Sequence, residues 1–160
     1  MDQAFTGYFK SEIGFIEIVG TETGILSLEF TEKDPKNDSH LPTCIERCIT
    51  QLDAYFKGNR RVFSLDLLLN GTDFQKKVWK QLMKIPFGET VSYKDIAASV
   101  GNINAVRAVG SANGRNRIPI IIPCHRVIAA DGSLAGFGSG IWRKEWLLNH
   151  EKTVVLKDTK

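Results

Sequence analysis

The chain has 160 residues, 42% apolar and 24% charged, with 14 Gly against 5 Pro, a globular composition that excludes collagen-like, low-complexity and disordered architectures. The longest mainly apolar run, Ile118–Cys124, is seven residues and holds two prolines, whereas a membrane helix needs about 20. Net charge is +3, but residues 1–70 carry 7 Lys/Arg against 11 Asp/Glu and residues 71–160 carry 14 against 7. The basic surplus of the second half, spread over Lys76, Lys77, Lys80, Lys84, Arg107, Arg115, Arg117 and Arg126, suits a polyanionic partner and equally a solvated basic face. Met1-Asp2-Gln3-Ala4 lacks the basic and apolar regions of a secretory signal. Three cysteines do not suggest a disulfide framework. The chain reads as a cytoplasmic protein.

Residues Ile13–Val19 and Ile25–Phe30 alternate as a strand pair, with Leu26, Leu28 and Phe30 on one face and Thr21–Gly24 as the turn. Thr31–Ser39 is polar, with a loop at Asp34-Pro35. Pro42 suits the first turn of a helix carrying Ile45, Cys48, Ile49, Leu52 and Phe56, stopped by Gly58. Arg61–Leu69 alternates again (Phe63, Leu65, Leu67), and Asn70-Gly71 ends the pattern. Residues 1–70 therefore form a small α/β unit on an antiparallel sheet.

Residues 71–160 change character. Thr72 followed by Gln75 fits a capping box, in which hydroxyl and amide satisfy each other's orphan backbone donors. Phe74, Val78, Leu82 and Ile85 line one face of the helix, which ends before Pro86. Ser92 caps a short helix holding Ile96, Ala97 and Val100, stopped at Gly101. A second helix runs from Ala105 to about Asn113, with Val106 and Val109 on its inner face. Two short helices across a turn have the pattern of a helix-turn-helix, a spacing also common among small helical pairs.

Ile118–Val127 carries the chemistry. Three isoleucines between Pro119 and Pro123 predict a buried extended segment that delivers Cys124 and His125 where the apolar run ends. A thiolate is the reactive form of cysteine; histidine can take the thiol proton and a carboxylate can orient the imidazole. Adjacent side chains on an extended segment face opposite ways, so a water would bridge His125 to Cys124. A buried inert cysteine beside a hydrogen-bonded histidine has the same dipeptide.

Pro123-Cys124-His125-Arg126-Val127 resembles the active-site signature of the O6-alkylguanine-DNA alkyltransferases, the methylated-DNA–protein-cysteine methyltransferases. Phe87–Tyr93, Arg107–Gly110, Asn113–Asn116 and Lys144–Glu151 resemble other blocks of that family, with order and spacing agreeing over about residues 72–151. The resemblance implies an α/β (α+β) protein: a ribonuclease H-like N-terminal domain, residues 1–70, and a mainly helical C-terminal DNA-binding alkyltransferase domain with a helix-turn-helix, residues 71–160.

It also implies roles. Cys124 accepts the alkyl group, His125 acts as base through a water, and Glu151 completes the relay. Tyr93 donates a hydrogen bond or a proton to the departing guanine, and Asn116 holds the turn between recognition helix and active-site segment. Arg107 enters the duplex as the damaged nucleotide flips out, while Ala105, Ala108 and Gly110 let the helix approach the minor groove. Ser92, Val127 and Gly138 join the substrate-contacting set, with Ser133–Gly140 walling the pocket. Taken singly, Tyr93 also reads as a half-buried helix aromatic, Arg107 as surface and Asn116 as a turn former.

The implied partner is double-stranded DNA containing O6-alkylguanine, with O4-alkylthymine as a second substrate. No membrane is involved and the protein acts as a monomer, with cooperative assembly on DNA left open. No cofactor and no metal are expected. His40, Cys44 and Cys48 are spaced i, i+4, i+8, but four ligands make a structural zinc site and Pro42 interrupts the helix. Phe137 and Gly138 stand where several relatives have Tyr and Ser, which leaves a roomier pocket. The alternatives are a non-catalytic alkyl-damage sensor or regulator, against which the presence of Cys124 counts, and a cysteine hydrolase, for which no oxyanion-hole motif is visible.

Overall fold

In a computed structural model of the chain, residues 3–33, 35–134 and 136–158 are described. Asp34 of the expected loop, Ala135 of the expected pocket wall and the first two residues lie outside that set. Two compact units divide the chain, Met1–Asn70 and Gly71–Lys160.

The first unit is a three-stranded antiparallel sheet with one helix against it. Strands β1 (Phe5–Ser11), β2 (Gly14–Gly20) and β3 (Ile25–Thr31) form a meander in the order β1-β2-β3. The turn after β2 is where the sequence puts it, closed by the Thr21 N–H donating to the Gly24 carbonyl at 2.9 Å. Strand β1 is invisible to hydrophobic alternation because its one buried position is a glycine. A Cβ on Gly7 would lie 2.8 Å from Ile45 Cγ2, so close approach of the helix, rather than an apolar side chain, marks the inward face. Helix α1 (Thr43–Phe56) starts after Pro42 and buries Ile45, Cys48, Leu52 and Phe56, as its spacing predicts.

Residues 61–69 do not form the expected strand. They make one isolated parallel bridge, Leu67 with Ile25. Side chains of α1 take the backbone instead. Gln51 accepts from the Ser64 N–H at 2.9 Å and donates to its carbonyl at 3.1 Å, and Arg47 donates to the same carbonyl at 3.0 Å. Ser64 is thereby satisfied without a ladder. His40 sits edge-on to Phe5, the Cys44 thiol donates to the Thr21 carbonyl, and burial pushes the Cys48 thiol up to about 12.

The second unit is mainly helical. Helix α2 (Asp73–Leu82) opens with the Thr72–Gln75 capping box and buries Val78, Trp79 and Leu82. The Trp79 indole N–H donates to the Ala112 carbonyl at 2.8 Å, pinning α2 to helix α4 (Val106–Gly114). Helix α3 (Tyr93–Ser99) starts with a second capping box, Ser92 with Asp95. On α4, Val109 is buried but Val106 is 38% exposed, so the inner face is narrower than the sequence suggests. Strands β4 (Val91–Ser92) and β5 (Val127–Ile128) pair in parallel. Helix α5 (Ile141–Asp158) closes the unit and buries Lys144, Leu147 and Glu151 along one side.

Candidate active site

Cys124 is buried, but the segment before it is a tight turn rather than an extended strand. The Ile122 N–H bonds back to the Ile118 carbonyl at 2.9 Å, and the Cys124 N–H to that of Ile122 at 2.7 Å. The second bond closes an inverse γ-turn on Pro123, with φ −79° and ψ 65°. Ile120 takes φ +74°, a region that costs a β-branched residue energy. Asn116 holds the turn from both ends, its Nδ2 donating to the Ile122 carbonyl at 2.8 Å and its Oδ1 accepting from Ile118 N at 2.9 Å. Cys124, His125 and Arg126 then form one turn of 3-10 helix, so the opposite-face geometry of an extended pair does not apply.

His125 and Glu151, 26 residues apart in sequence, meet at 2.6 Å through Nε2 and Oε2, both fully buried. Arg126 grips the same carboxylate as a fork, Nε to Oε1 at 2.9 Å and Nη2 to Oε2 at 3.0 Å, while its Nη1 donates to the Ile85 carbonyl at 2.7 Å. The Gly88 N–H donates to Oε1 at 3.0 Å. Gly88 has φ +84°, and a Cβ there would lie 2.6 Å from Val155, which reserves the position for glycine. Burial alone would raise the Glu151 pKa; the hydrogen bond from His125 and the Arg126 guanidinium outweigh it and hold the carboxyl well below its usual range. Burial depresses the His125 pKa despite Glu151. Arg126, which cannot shed its charge, is the partner that keeps Glu151 ionised, and His125 is neutral at pH 7. The neutral ring donates from Nε2. Its buried Nδ1 has no hydrogen-bond partner.

Burial raises the Cys124 pKa to about 11, opposed by a hydrogen bond with Asn116 and by the Lys144 ammonium. Lys144 is fully buried and donates from Nζ to the Val127 carbonyl at 2.6 Å, 6.0 Å above the Tyr93 ring. Tyr93 is half-buried at the start of α3, next to the β4–β5 pair, and its pKa is raised by burial and by its proximity to Cys124. A pocket opens on Cys124, bounded by Asn113, Asn116 and Pro119 on one side and by Phe137, Gly138 and Ser139 on the other.

Of the residues singled out from sequence, Cys124, Asn116 and Gly138 line the pocket, and His125 and Glu151 form the pair behind the cysteine. Val127 is buried in β5, facing Val91. Ser92 caps α3, Ala105 precedes the first turn of α4, and Arg107 is exposed on that helix. Lys144, Asn113 and the buried state of Arg126 were missed. A signal existed for Lys144: with Leu147 and Glu151 it occupies i, i+3 and i+7, a buried helical stripe that includes a cation and an anion.

The comparisons with known proteins follow the same division. The family model for the ribonuclease-like domain of 6-O-methylguanine DNA methyltransferase matches residues 4–69, and the model for that protein's DNA-binding domain matches residues 73–153. The chain belongs to the O6-methylguanine-DNA methyltransferase family. A methylated-DNA–protein-cysteine methyltransferase of Methanosarcina barkeri is 47% identical over 148 residues, 89% of this chain and 94% of the relative. One from Mycobacterium leprae is 45% identical, covering 91% of each. The crystal structure of the Mycobacterium tuberculosis O6-methylguanine methyltransferase superposes with a TM-score of 0.85 at 42% identity, covering 94% of both chains. That of M. tuberculosis OGT in complex with DNA gives 0.83 at 45% identity, covering 92% of both. The two family models together reach into both units of the chain.

Proposed function

We propose that this chain repairs duplex DNA by moving a methyl or other alkyl group from O6-alkylguanine to its own Cys124, with the damaged base flipped into the pocket. The observation that supports this best is a buried thiol lining the pocket, on which an amide and an ammonium group act, next in sequence to a histidine already committed to a carboxylate. Neutral His125, donating from Nε2, presents Nδ1 as a base. A water carries the thiol proton to it, and Glu151 stabilises the resulting imidazolium. The sulfur attacks the alkyl carbon, forming an S–C bond as the C–O6 bond breaks and its electron pair passes to guanine. Tyr93 supplies the proton that lets guanine leave neutral. The Lys144 ammonium favours the thiolate while it forms. No group in this arrangement cleaves a thioether, so each molecule acts once. Intact mass after incubation with an O6-methylguanine duplex tests the reading.

In this reading Arg107, exposed on α4, fills the space left by the flipped nucleotide, and Ala105, Ala108 and Gly110 allow close groove approach. Arg107→Ala is expected to slow transfer from duplex DNA about tenfold or more while leaving reaction with free O6-benzylguanine within about twofold. Equal losses on both substrates would remove the assignment. A Cβ at Gly138 meets nothing within 4 Å, so Gly138→Ser narrows the pocket without clashing. We expect its rate for O6-benzylguanine to fall relative to methyl, and an unchanged ratio would show that Gly138 does not set the room.

We place this activity in the cytoplasm, in a monomer that needs no cofactor. No helix among the described residues is long and apolar enough to cross a membrane.

A further inference from the structure

The outer wall of the pocket, Phe137–Ser139, belongs to no helix or strand. Two hydrogen bonds tie it to the start of α5. The Gly140 N–H closes a turn onto the Phe137 carbonyl at 2.9 Å. Arg143 reaches back from α5 and donates through Nη1 to the Ser139 carbonyl at 2.8 Å. The same guanidinium lies 4.5 Å from the centroid of the Trp142 ring. The ring also abuts Gly140, which has φ +101° and where a Cβ would lie 3.2 Å from two ring atoms.

Trp142 is 55% exposed. An indole left half in water adds little to a core, and none of the catalytic contacts involves it. What it does touch is the arginine that holds the wall and the glycine at which the wall joins α5. An exposed arginine samples many rotamers; stacking over an indole face restricts it. Here that restriction falls on the group bonded to Ser139, a pocket residue.

We propose that Trp142, acting through Arg143, is a positioning residue that braces the outer wall of the pocket and so limits the bulk of the O6-substituent that Cys124 can accept. This rests on the alkyl-transfer reading of the pocket. With the brace in place the Ser139 carbonyl is held and the wall yields little. Without it the wall moves outward, which admits a ring-bearing adduct and matters little to a methyl group.

The test is the single-turnover transfer rate of the full chain with O6-methylguanine and O6-benzylguanine in the same duplex, and with free O6-benzylguanine. Trp142→Ala is expected to raise the benzyl-to-methyl rate ratio about threefold, the scale of losing one partly exposed cation–π contact. Trp142→Phe keeps a ring under the guanidinium and should restore most of the parent ratio. Arg143→Ala should match Trp142→Ala, and the double variant should add nothing further. The proposal fails if the ratio in Trp142→Ala stays at the parent value, or if both rates fall in proportion. It also fails if the change occurs in duplex DNA but not with the free base, which would put Trp142 against DNA. A parent protein that transfers neither group would overturn the alkyl-transfer reading and this role together, whereas a transferring parent with an unmoved ratio removes only the role of Trp142.

Discussion

Replacing Cys124 by alanine is expected to abolish alkyl uptake altogether. The parent, incubated with an O6-methylguanine duplex, should gain about 14 Da once per molecule and no more, because the thioether formed has no leaving route. The variant should gain nothing, at any time or DNA concentration. The other two cysteines do not substitute. Cys48 is buried with its thiol pushed up to about 12, and Cys44 donates to the Thr21 carbonyl. The alanine variant should still fold, since it loses one sulfur beside a pocket. Its affinity for the damaged duplex should also survive, because the α4 face and the basic surplus are untouched. Tight binding by the parent with no mass change would instead favour a damage sensor, and a mass gain in the variant would move the acceptor elsewhere.

The second large effect concerns Glu151. Glu151→Gln keeps the shape but removes the charge that answers Arg126, which is 5% exposed and bound to both carboxylate oxygens. Breaking one side of a buried ion pair costs about 3–5 kcal/mol, which should lower Tm by roughly 10 °C or more. Transfer should slow as well, since the imidazolium formed on His125 loses its stabilising anion. The pH dependence follows from the direction of the shift. A carboxyl whose folded pKa is depressed contributes stability that is present above its unfolded value, near 4.3, and is lost as pH falls below it. The stability gap between parent and Glu151→Gln should therefore be widest at neutral pH and narrow below about pH 4. His125, depressed by burial, adds a loss in the same direction that begins below about pH 6.5, where the unfolded imidazole gains its proton. A Gln variant melting within a degree or two of the parent would mean that Arg126 finds water or another acceptor. The hub role of Glu151 would then fall.

Much of the molecule is legible without coordinates, for local reasons. The Thr72–Gln75 capping box, the Ser92 cap, the start of α1 after Pro42, the buried faces of α1 and α2 and the turn at Thr21–Gly24 depend on residues within one helical turn or one hairpin. Local chemistry determines them, so the sequence carries them. The failures are equally physical. Alternation over residues 61–69 predicts a strand, yet α1 side chains claim the Ser64 backbone from 13 residues away or more. The isoleucine run before Cys124 looks extended, but Asn116 and two short-range backbone bonds fold it into a turn. Strand β1 hides because a glycine, not an apolar residue, faces the helix.

The site divides the same way. The Pro-Cys-His block and the Asn116 turn are legible from residues within ten positions of one another. The folded chain is needed to see that Glu151 reaches His125, that Arg126 is a buried counter-ion rather than surface charge, and that Lys144 lies near the thiol. Those pairings join α5 to a turn 20 to 26 residues earlier. Spacing along a chain does not specify such contacts. They form because desolvated charges leave water only where an opposite charge or a hydrogen bond receives them.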